Sequence, residues 1–204
     1  MPRPSCREQI VDAARTEFHR LGFHGCSVDT ITKAAGVPKG SFYNHFPGKE
    51  QLAAEVVRRY QEASAWRTAD VAGLGPLDEL AVRFGALADR HSARSWRRGC
   101  LLFNLGAEAG EDSPVLRAAV RAALDDWTAR AAALVDAAVR DGSLPAGTDP
   151  DRRARFLVTA YEGAVTRSKI EQSDDALDDF FDCALGVARP APVAATTAPS
   201  GAQG

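Results

Sequence analysis

Cysteine is scarce in this 204-residue chain, which has four of them, far apart at positions 6, 26, 100 and 183. None of them forms a CxxC pair, and no combination of cysteine and histidine follows the spacing of a zinc site. The closely spaced cysteines of a small disulfide-bonded secreted domain are also missing. We therefore expect free thiols, and we expect neither a metal nor another cofactor.

Long apolar runs are missing as well. No stretch approaches the roughly 20 apolar residues that a helix needs to cross a bilayer. The first ten residues, MPRPSCREQI, lack the apolar segment of a secretory signal peptide. These absences predict a cytoplasmic protein that does not contact the membrane.

The chain has little excess of charge of either sign. Its net charge is −2, which by itself favours no class of partner. Residues 1–50, however, hold seven Lys or Arg against five Asp or Glu, whereas the remainder holds 18 against 22. The sign of this difference suits a basic N-terminal module that binds nucleic acid.

Alternating strand patterns are not found, and apolar residues recur at helical spacing along the chain. Local cap signals support this, including a Ser5–Glu8 capping box and the Ser-Pro and Asp-Pro pairs at 113–114 and 149–150. The sequence predicts an all-α fold of about nine helices, over 5–21, 27–35, 39–46, 49–73, 77–91, 100–109, 113–142, 149–172 and 175–188. We expect three parts: a helix-turn-helix domain (1–50), a helical ligand-binding and dimerisation domain (51–188) and a disordered, Ala/Pro/Thr/Gly-rich tail (189–204).

Three short helices near the N-terminus, with a tight glycine-containing turn before the third, are typical of a helix-turn-helix. In the third helix, Phe42 and Phe46 can face the core while polar side chains face outward. Hydroxyls, amides and cations bind phosphates and base edges, and Gly40 would allow the backbone to approach DNA closely. The competing interpretations are a purely structural three-helix bundle and, for His45 alone, an ordinary surface histidine.

The stretch SVDTITKAAGVPKGSFYNHFPGKEQL resembles the DNA-binding domain of the TetR family of regulators, and the match spans about residues 5–55. Family members are all-helical homodimers that usually repress transcription and release a palindromic operator when a small molecule binds. By position, the resemblance implies DNA contacts from Ser27, Lys39, Gly40, Ser41, Tyr43, Asn44, His45 and Lys49. It implies that Lys39 reads a base and that Tyr43, His45 and Lys49 mainly hold phosphates.

Two later segments, RRGCLLFNLGAEAG and YEGAVTRSKIEQSDDALDDF, resemble a branch of this family in which some members respond to electrophiles or oxidants. The resemblance implies that Cys100 and Lys169 form part of a sensor, with Asn104 one helical turn further on. A nearby cation or a helix N-terminus would lower the thiol pKa, and Lys169 could trap an oxidised sulfur. The alternatives are a buried, space-filling Cys100 and a solvated Lys169.

A non-covalent ligand in an apolar pocket is the leading hypothesis for the signal. The pocket would use Phe84, Leu87, His91, Trp96, Phe103, Trp127 and Tyr161, with Glu162 as a polar anchor. The same aromatic residues could instead be ordinary core residues.

Dimerisation is expected because two recognition helices must reach successive major grooves about 34 Å apart. We expect the last two helices to form the interface, through Leu177, Phe180, Phe181, Ala184 and Leu185, although these side chains could instead pack in the monomer's own core. An enzyme is not expected, since no nucleophile–base–acid set and no phosphate-binding glycine loop is found. An adaptor that has lost DNA binding is disfavoured by the intact recognition helix.

Overall fold

The computed structural model describes residues 5–93, 97–109 and 112–191, and within these ranges the regular structure is entirely helical. The helices are α1 (Cys6–Leu21), α2 (Val28–Ala35), α3 (Lys39–Tyr43), α4 (Lys49–Glu62), α5 (Ala65–Thr68), α6 (Pro76–Ser92), α7 (Leu101–Ala109), α8 (Pro114–Arg140), α9 (Pro150–Glu171) and α10 (Asp175–Asp179), which continues as a π-helical segment (Phe180–Leu185). This confirms the predicted all-α class. None of the described helices combines the length and the apolar character needed to cross a bilayer.

The helix ends follow the predicted local signals. The Ser5 side chain accepts from the Glu8 N–H, and the Glu8 carboxylate accepts from the Ser5 N–H at 2.9 Å, which completes the capping box. Ser113 caps α8 ahead of Pro114, and Asp149 caps α9 in the same way. These ends were predictable because each cap depends on residues three or four positions apart.

Two predicted helices end earlier than expected. The helix that begins at Lys49 ends at Glu62 instead of near residue 73, because Ser64 caps a separate one-turn helix, α5. That turn directs Trp66 into the core, where its ring lies 4.8 Å from Phe84 and 5.9 Å from Trp127. The third helix ends at Tyr43 instead of Phe46.

Two clusters of buried side chains hold the helices together. The first joins α1–α4 to α7 and the start of α8, and it includes Phe18, Phe42 and Leu105. The second joins α5, α6, α8, α9 and α10 around Trp127 and Tyr161. Because α7 belongs to the first cluster, the packing unit that contains the N-terminal helices extends well past residue 50.

The beginning of the predicted tail is attached to the helical body. Arg189 forms ion pairs with Asp89 at 3.4 Å and with Asp178 at 3.3 Å, and Pro190 lies against Gly85. The rest of the predicted tail, residues 192–204, and the predicted pocket residue Trp96 lie outside the described residues.

Candidate DNA-binding surface and ligand cavity

Helices α2 and α3 meet at a tight turn with the geometry of a helix-turn-helix. Gly36 adopts a left-handed conformation (φ 68°), which glycine tolerates best, and its N–H bonds to the last carbonyls of α2. Phe42 is fully buried, with its ring 5.9 Å from that of Phe46. This inward anchor fixes which face of α3 points to solvent.

The outward face carries most of the side chains predicted to touch DNA. Ser27, Lys39, Gly40, Tyr43, Asn44 and His45 are exposed, and Ser41 is half-buried. Tyr43 is 56% exposed, which is unusual for a large aromatic residue. A Cβ atom added to Gly40 would meet nothing within 4 Å, so the backbone there is open to close approach. Lys33, near the end of α2, is also exposed and was missed by the sequence reasoning.

Lys39 is engaged by an acidic neighbour in the free protein. Its ammonium lies 2.8 Å from the Asp29 carboxylate at the start of α2. The hydrogen bond raises the pKa of Lys39 and lowers that of Asp29. Both side chains are more than half exposed, so the pair is weak and DNA acceptors can replace Asp29.

Lys49 takes a different place from the one implied by the resemblance. Its Nζ donates to the carbonyl oxygens of Phe23 at 2.7 Å and Cys26 at 3.0 Å, and it lies 4.2 Å from the centroid of the Phe23 ring. The ammonium is therefore directed toward the turn between α1 and α2 in the free protein. In this structure Lys49 fixes that turn, and we leave it out of the DNA contacts proposed below.

Glu108, near the end of α7, holds the same turn from the other side. Its Oε2 accepts from the backbone N–H of Phe23 at 2.7 Å and of His24 at 3.4 Å. The conformation of Gly22 (φ 73°) favours glycine, and a Cβ atom there would push the Glu108 carboxylate away from the turn. Sequence reasoning identified Gly22 only as a helix stop and missed Glu108.

A cavity of about 40 Å³ lies between the two cores. Its lining residues are Tyr60, Gln61, Ser64, Trp66, Arg67, Leu87, His91, Cys100, Leu102, Ala123, Asp126, Trp127, Arg130, Tyr161 and Glu162. Six residues of the two predicted sensor and pocket sets are therefore brought together here: Leu87, His91, Cys100, Trp127, Tyr161 and Glu162.

The remaining predicted pocket residues do not line this cavity. Phe84 belongs to the second core, and Phe103 packs half-buried between the two clusters. The Asn104 Nδ2 donates to the Arg98 carbonyl at 2.9 Å, which fixes the segment before α7. Lys169 is exposed, although its Cδ comes within 3.5 Å of the position that a Cβ on Gly99 would occupy.

The cavity contains groups that resist ionisation. Burial raises the pKa of the Glu162 carboxyl to about 8. Burial, with Glu162 nearby, also raises the pKa of the Cys100 thiol well above its usual range. The direction of this shift is opposite to the lowered thiol pKa that neighbouring cations were expected to cause. Cys100 is only 7% exposed, and the Tyr60 hydroxyl donates to its Sγ at 4.0 Å.

Three buried polar atoms of the cavity residues have no hydrogen-bond partner among the described residues: Trp127 Nε1, the Tyr161 hydroxyl and Glu162 Oε2. Unpaired buried polar groups cost free energy, so such a set within one cavity indicates a place for a polar ligand atom.

The side chains predicted to form the dimer interface lie inside the protomer. Leu177 and Phe181 are fully buried, and Phe180, Ala184 and Leu185 are at most 7% exposed. The protomer's own core therefore accounts for the burial of these side chains, and their part in a dimer interface stays a prediction. The exposed apolar residues of this region lie instead on α9, where Phe156 is 53% and Ile170 is 76% exposed.

Comparisons with known proteins agree with this architecture. Residues 10–56 match the family model "Bacterial regulatory proteins, tetR family", and residues 76–183 match the model "Tetracyclin repressor-like, C-terminal domain". The chain is 36% identical over 178 residues to the transcriptional regulator AcuR of Cereibacter sphaeroides, covering 85% of this chain and 80% of that protein. It is 30% identical over 184 residues to the transcriptional repressor DhaR of Mycobacterium sp. strain GP1, covering 89% and 91% respectively.

A solved structure, the regulatory protein TetR from Rhodobacter sphaeroides, matches with a TM-score of 0.81 and 33% identity, covering 89% of this chain and 97% of that one. These relatives are transcriptional regulators, which confirms the expectation that the chain is a regulator and not an enzyme. The chain belongs to the TetR family of transcriptional regulators.

Proposed function

We propose that this protein is a repressor that binds a palindromic operator as a homodimer in the cytoplasm and is released by a small molecule. The observation that carries the proposal is the connection, through α7, between an outward polar recognition helix and a cavity with unpartnered polar atoms. Cys100 and Leu102 line the cavity at the start of α7, and Glu108 near its end binds the turn that precedes α2. A ligand that displaces α7 would therefore move the helix-turn-helix.

The proposed DNA contacts come from the exposed face of α2 and α3. Lys39 would exchange Asp29 for a base acceptor such as a guanine edge, and Tyr43 and His45 would hold phosphates. Ser27, Gly40, Ser41 and Asn44 complete the set predicted from the sequence, and Lys33 is added from the structure.

The proposed dimer interface uses the outer face of α9 and α10. Phe156, Ala160, Gly163 and Arg167 follow helical spacing, and together with Cys183 they line a shallow groove whose floor includes Phe180 and Ala184. Phe180 and Ala184 belong to the set predicted for the interface and reach this groove. The other three residues of that set, Leu177, Phe181 and Leu185, are buried inside the protomer.

The DNA-binding proposal is tested with a labelled duplex taken from upstream of the protein's own gene. Fluorescence anisotropy at several salt concentrations should show a specific complex whose affinity falls steeply with salt. Lys39→Ala should weaken specific binding by about 1–3 kcal/mol, the value of a good base contact. Arg121→Ala, an exposed cation on α8, is the matched control and should change little. A wild-type protein that binds this duplex no better than unrelated DNA contradicts the proposal.

A redox- or electrophile-sensing repressor that uses Cys100 with Lys169 is the alternative proposal. It is favoured by one contact, the approach of the Lys169 side chain to Gly99, next to Cys100. It is opposed by the burial of a protonated thiol, because the thiolate is the reactive form. Cys100→Ser should abolish release of DNA by hypochlorite or an electrophile if the alternative holds; release equal to that of the wild type excludes it.

A further inference from the structure

The three unpartnered polar atoms of the cavity define the chemistry of what it binds. We propose that the cavity takes a small uncharged molecule with an apolar body and one carbonyl-type oxygen, which accepts hydrogen bonds from Trp127, Tyr161 and Glu162. This inference rests on the proposed function in one respect, that the cavity is the regulator's ligand site.

Trp127 decides the polarity of the ligand atom. An indole N–H can only donate, so Trp127 Nε1 requires an acceptor. The Tyr161 hydroxyl, also buried and unpartnered, can donate to the same atom. A carbonyl oxygen can accept hydrogen bonds from several donors, whereas an ammonium group would leave the indole N–H unpaired.

Glu162 acts as a third donor at neutral pH. Glu162 is only 3% exposed, and this burial raises the pKa of its carboxyl to about 8. The carboxyl is therefore mostly protonated at pH 7. The other titratable residues that line the cavity are Tyr60, Arg67, His91, Cys100, Asp126, Arg130 and Tyr161. Burial raises the pKa values of Tyr60, Cys100 and Tyr161, so these three stay protonated when Glu162 ionises.

The walls of the cavity fit an apolar body without a charge. Leu87, Leu102 and Ala123 face it together with aromatic rings. The two arginines at its edge are occupied, since Asp126 accepts from Arg67 at 2.6 Å and from Arg130 at 2.9 Å. A carboxylate ligand would have to compete with Asp126 for these two guanidinium groups, whereas an uncharged ligand would not.

The test compares three probes of the same shape with the full-length protein: cyclopentanone, cyclopentylamine and cyclopentane. Saturation-transfer NMR and the shift in melting temperature report binding without requiring DNA. We expect cyclopentanone to bind best, with an affinity that is constant below pH 7 and falls as the pH rises through about 8. Equal or stronger binding of the amine or the hydrocarbon, or an affinity that rises with pH, would overturn the proposal.

Single substitutions assign the contacts. Trp127→Phe and Tyr161→Phe remove one donor each and leave an aromatic ring, which is smaller than the indole in the first variant and the same in the second. Each should weaken cyclopentanone binding about tenfold, the effect of one hydrogen bond to a buried donor. Glu162→Gln keeps a donor but should abolish the fall near pH 8. Persistence of that step would reject the role of Glu162. Ser168→Ala, which removes another buried hydroxyl of α9 that has no partner among the described residues and does not line the cavity, is the control and should have less than a twofold effect.

The outcome separates this inference from the proposed function. If cyclopentanone binds as described but does not weaken DNA binding at saturation, the ligand class is supported. The proposal that a ligand in this cavity releases the protein from DNA is then wrong. If the protein binds no specific DNA but discriminates among the probes, the regulatory proposal fails and the ligand class stands. If none of the three probes binds at millimolar concentration, the proposed ligand class is wrong.

Discussion

The contact between Glu108 and the turn after α1 makes a prediction that can be worked out from its geometry. Oε2 accepts one short hydrogen bond from the Phe23 N–H (2.7 Å) and one long hydrogen bond from the His24 N–H (3.4 Å). A hydrogen bond to a charged group contributes about 1.5–3 kcal/mol, and solvent exposure of Glu108 reduces this because water can replace the carboxylate. We therefore expect Glu108→Ala to lower the free energy of unfolding by about 1–2 kcal/mol.

The assay is urea denaturation followed by circular dichroism, with three companion variants. Glu108→Gln retains an acceptor oxygen without the charge and should lose less than half as much stability. Glu171→Ala removes an exposed glutamate that pairs with Arg167 on α9, and it should change the stability by less than about 0.5 kcal/mol. Gly22→Ala should be destabilising in the wild type, since φ is 73° there and the added Cβ would displace the Glu108 carboxylate from its two N–H donors.

The double variant provides the refuting measurement. In a Glu108→Ala background, Gly22→Ala keeps the cost of a left-handed conformation but displaces no carboxylate, so the two effects should be less than additive. If the effects add, or if Glu108→Ala is as stable as Glu171→Ala, then Glu108 does not hold the turn and the reasoning is refuted.

Three further results are expected from the contacts described above. Lys49→Met should lower the free energy of unfolding by about 1–2 kcal/mol, because two carbonyl oxygens lose their donor. The same variant should leave the salt dependence of DNA binding unchanged, and a shallower dependence would show that Lys49 contacts a phosphate. The pKa of Glu162 is raised from 4.5 to about 8 in the folded protein, so between these pH values the unfolded chain binds fewer protons than the folded one. The free energy of unfolding therefore falls as the pH rises through this range, by up to about 1.4 kcal/mol per pH unit. Glu162→Gln should flatten that fall in denaturation curves at pH 5–8, and an unchanged slope would contradict the assignment. Phe156→Glu should convert the protein to a monomer in analytical ultracentrifugation and abolish specific DNA binding, whereas Val115→Glu, another exposed apolar site, should do neither.

The sequence predicted what is decided locally. The caps at Ser5, Ser113 and Asp149 each depend on a partner within one turn, and all three are present. The orientation of Phe42 was also predictable, since amphipathic spacing in a short helix leaves one apolar face.

What sequence reasoning missed depends on contacts between distant segments. The partners of Lys49 lie 23 and 26 residues away, and those of Glu108 more than 80, so no local pattern indicates them. Leu177 and Phe181 have the spacing of an apolar face, but spacing cannot distinguish the protomer's own core from a partner. For Cys100, two preceding arginines suggested a reactive thiolate, whereas burial beside Glu162 has the opposite effect.

The arrangement of α7 allows the proposed ligand release to be separated from ligand binding. The helix has nine residues and is about 13 Å long, and we propose that it moves as a rigid unit, which would carry a displacement at Cys100 to Glu108. The other connection between the cavity and the helix-turn-helix is α4, where Gln61 bonds to Asp126 at 2.8 Å. If α7 carries the signal, Glu108→Ala will bind the ligand as the wild type does, while its DNA affinity will no longer respond. Gln61→Ala, measured at saturating ligand because Gln61 also lines the cavity, will then retain the response. A response lost in Gln61→Ala and kept in Glu108→Ala would assign the coupling to α4 instead.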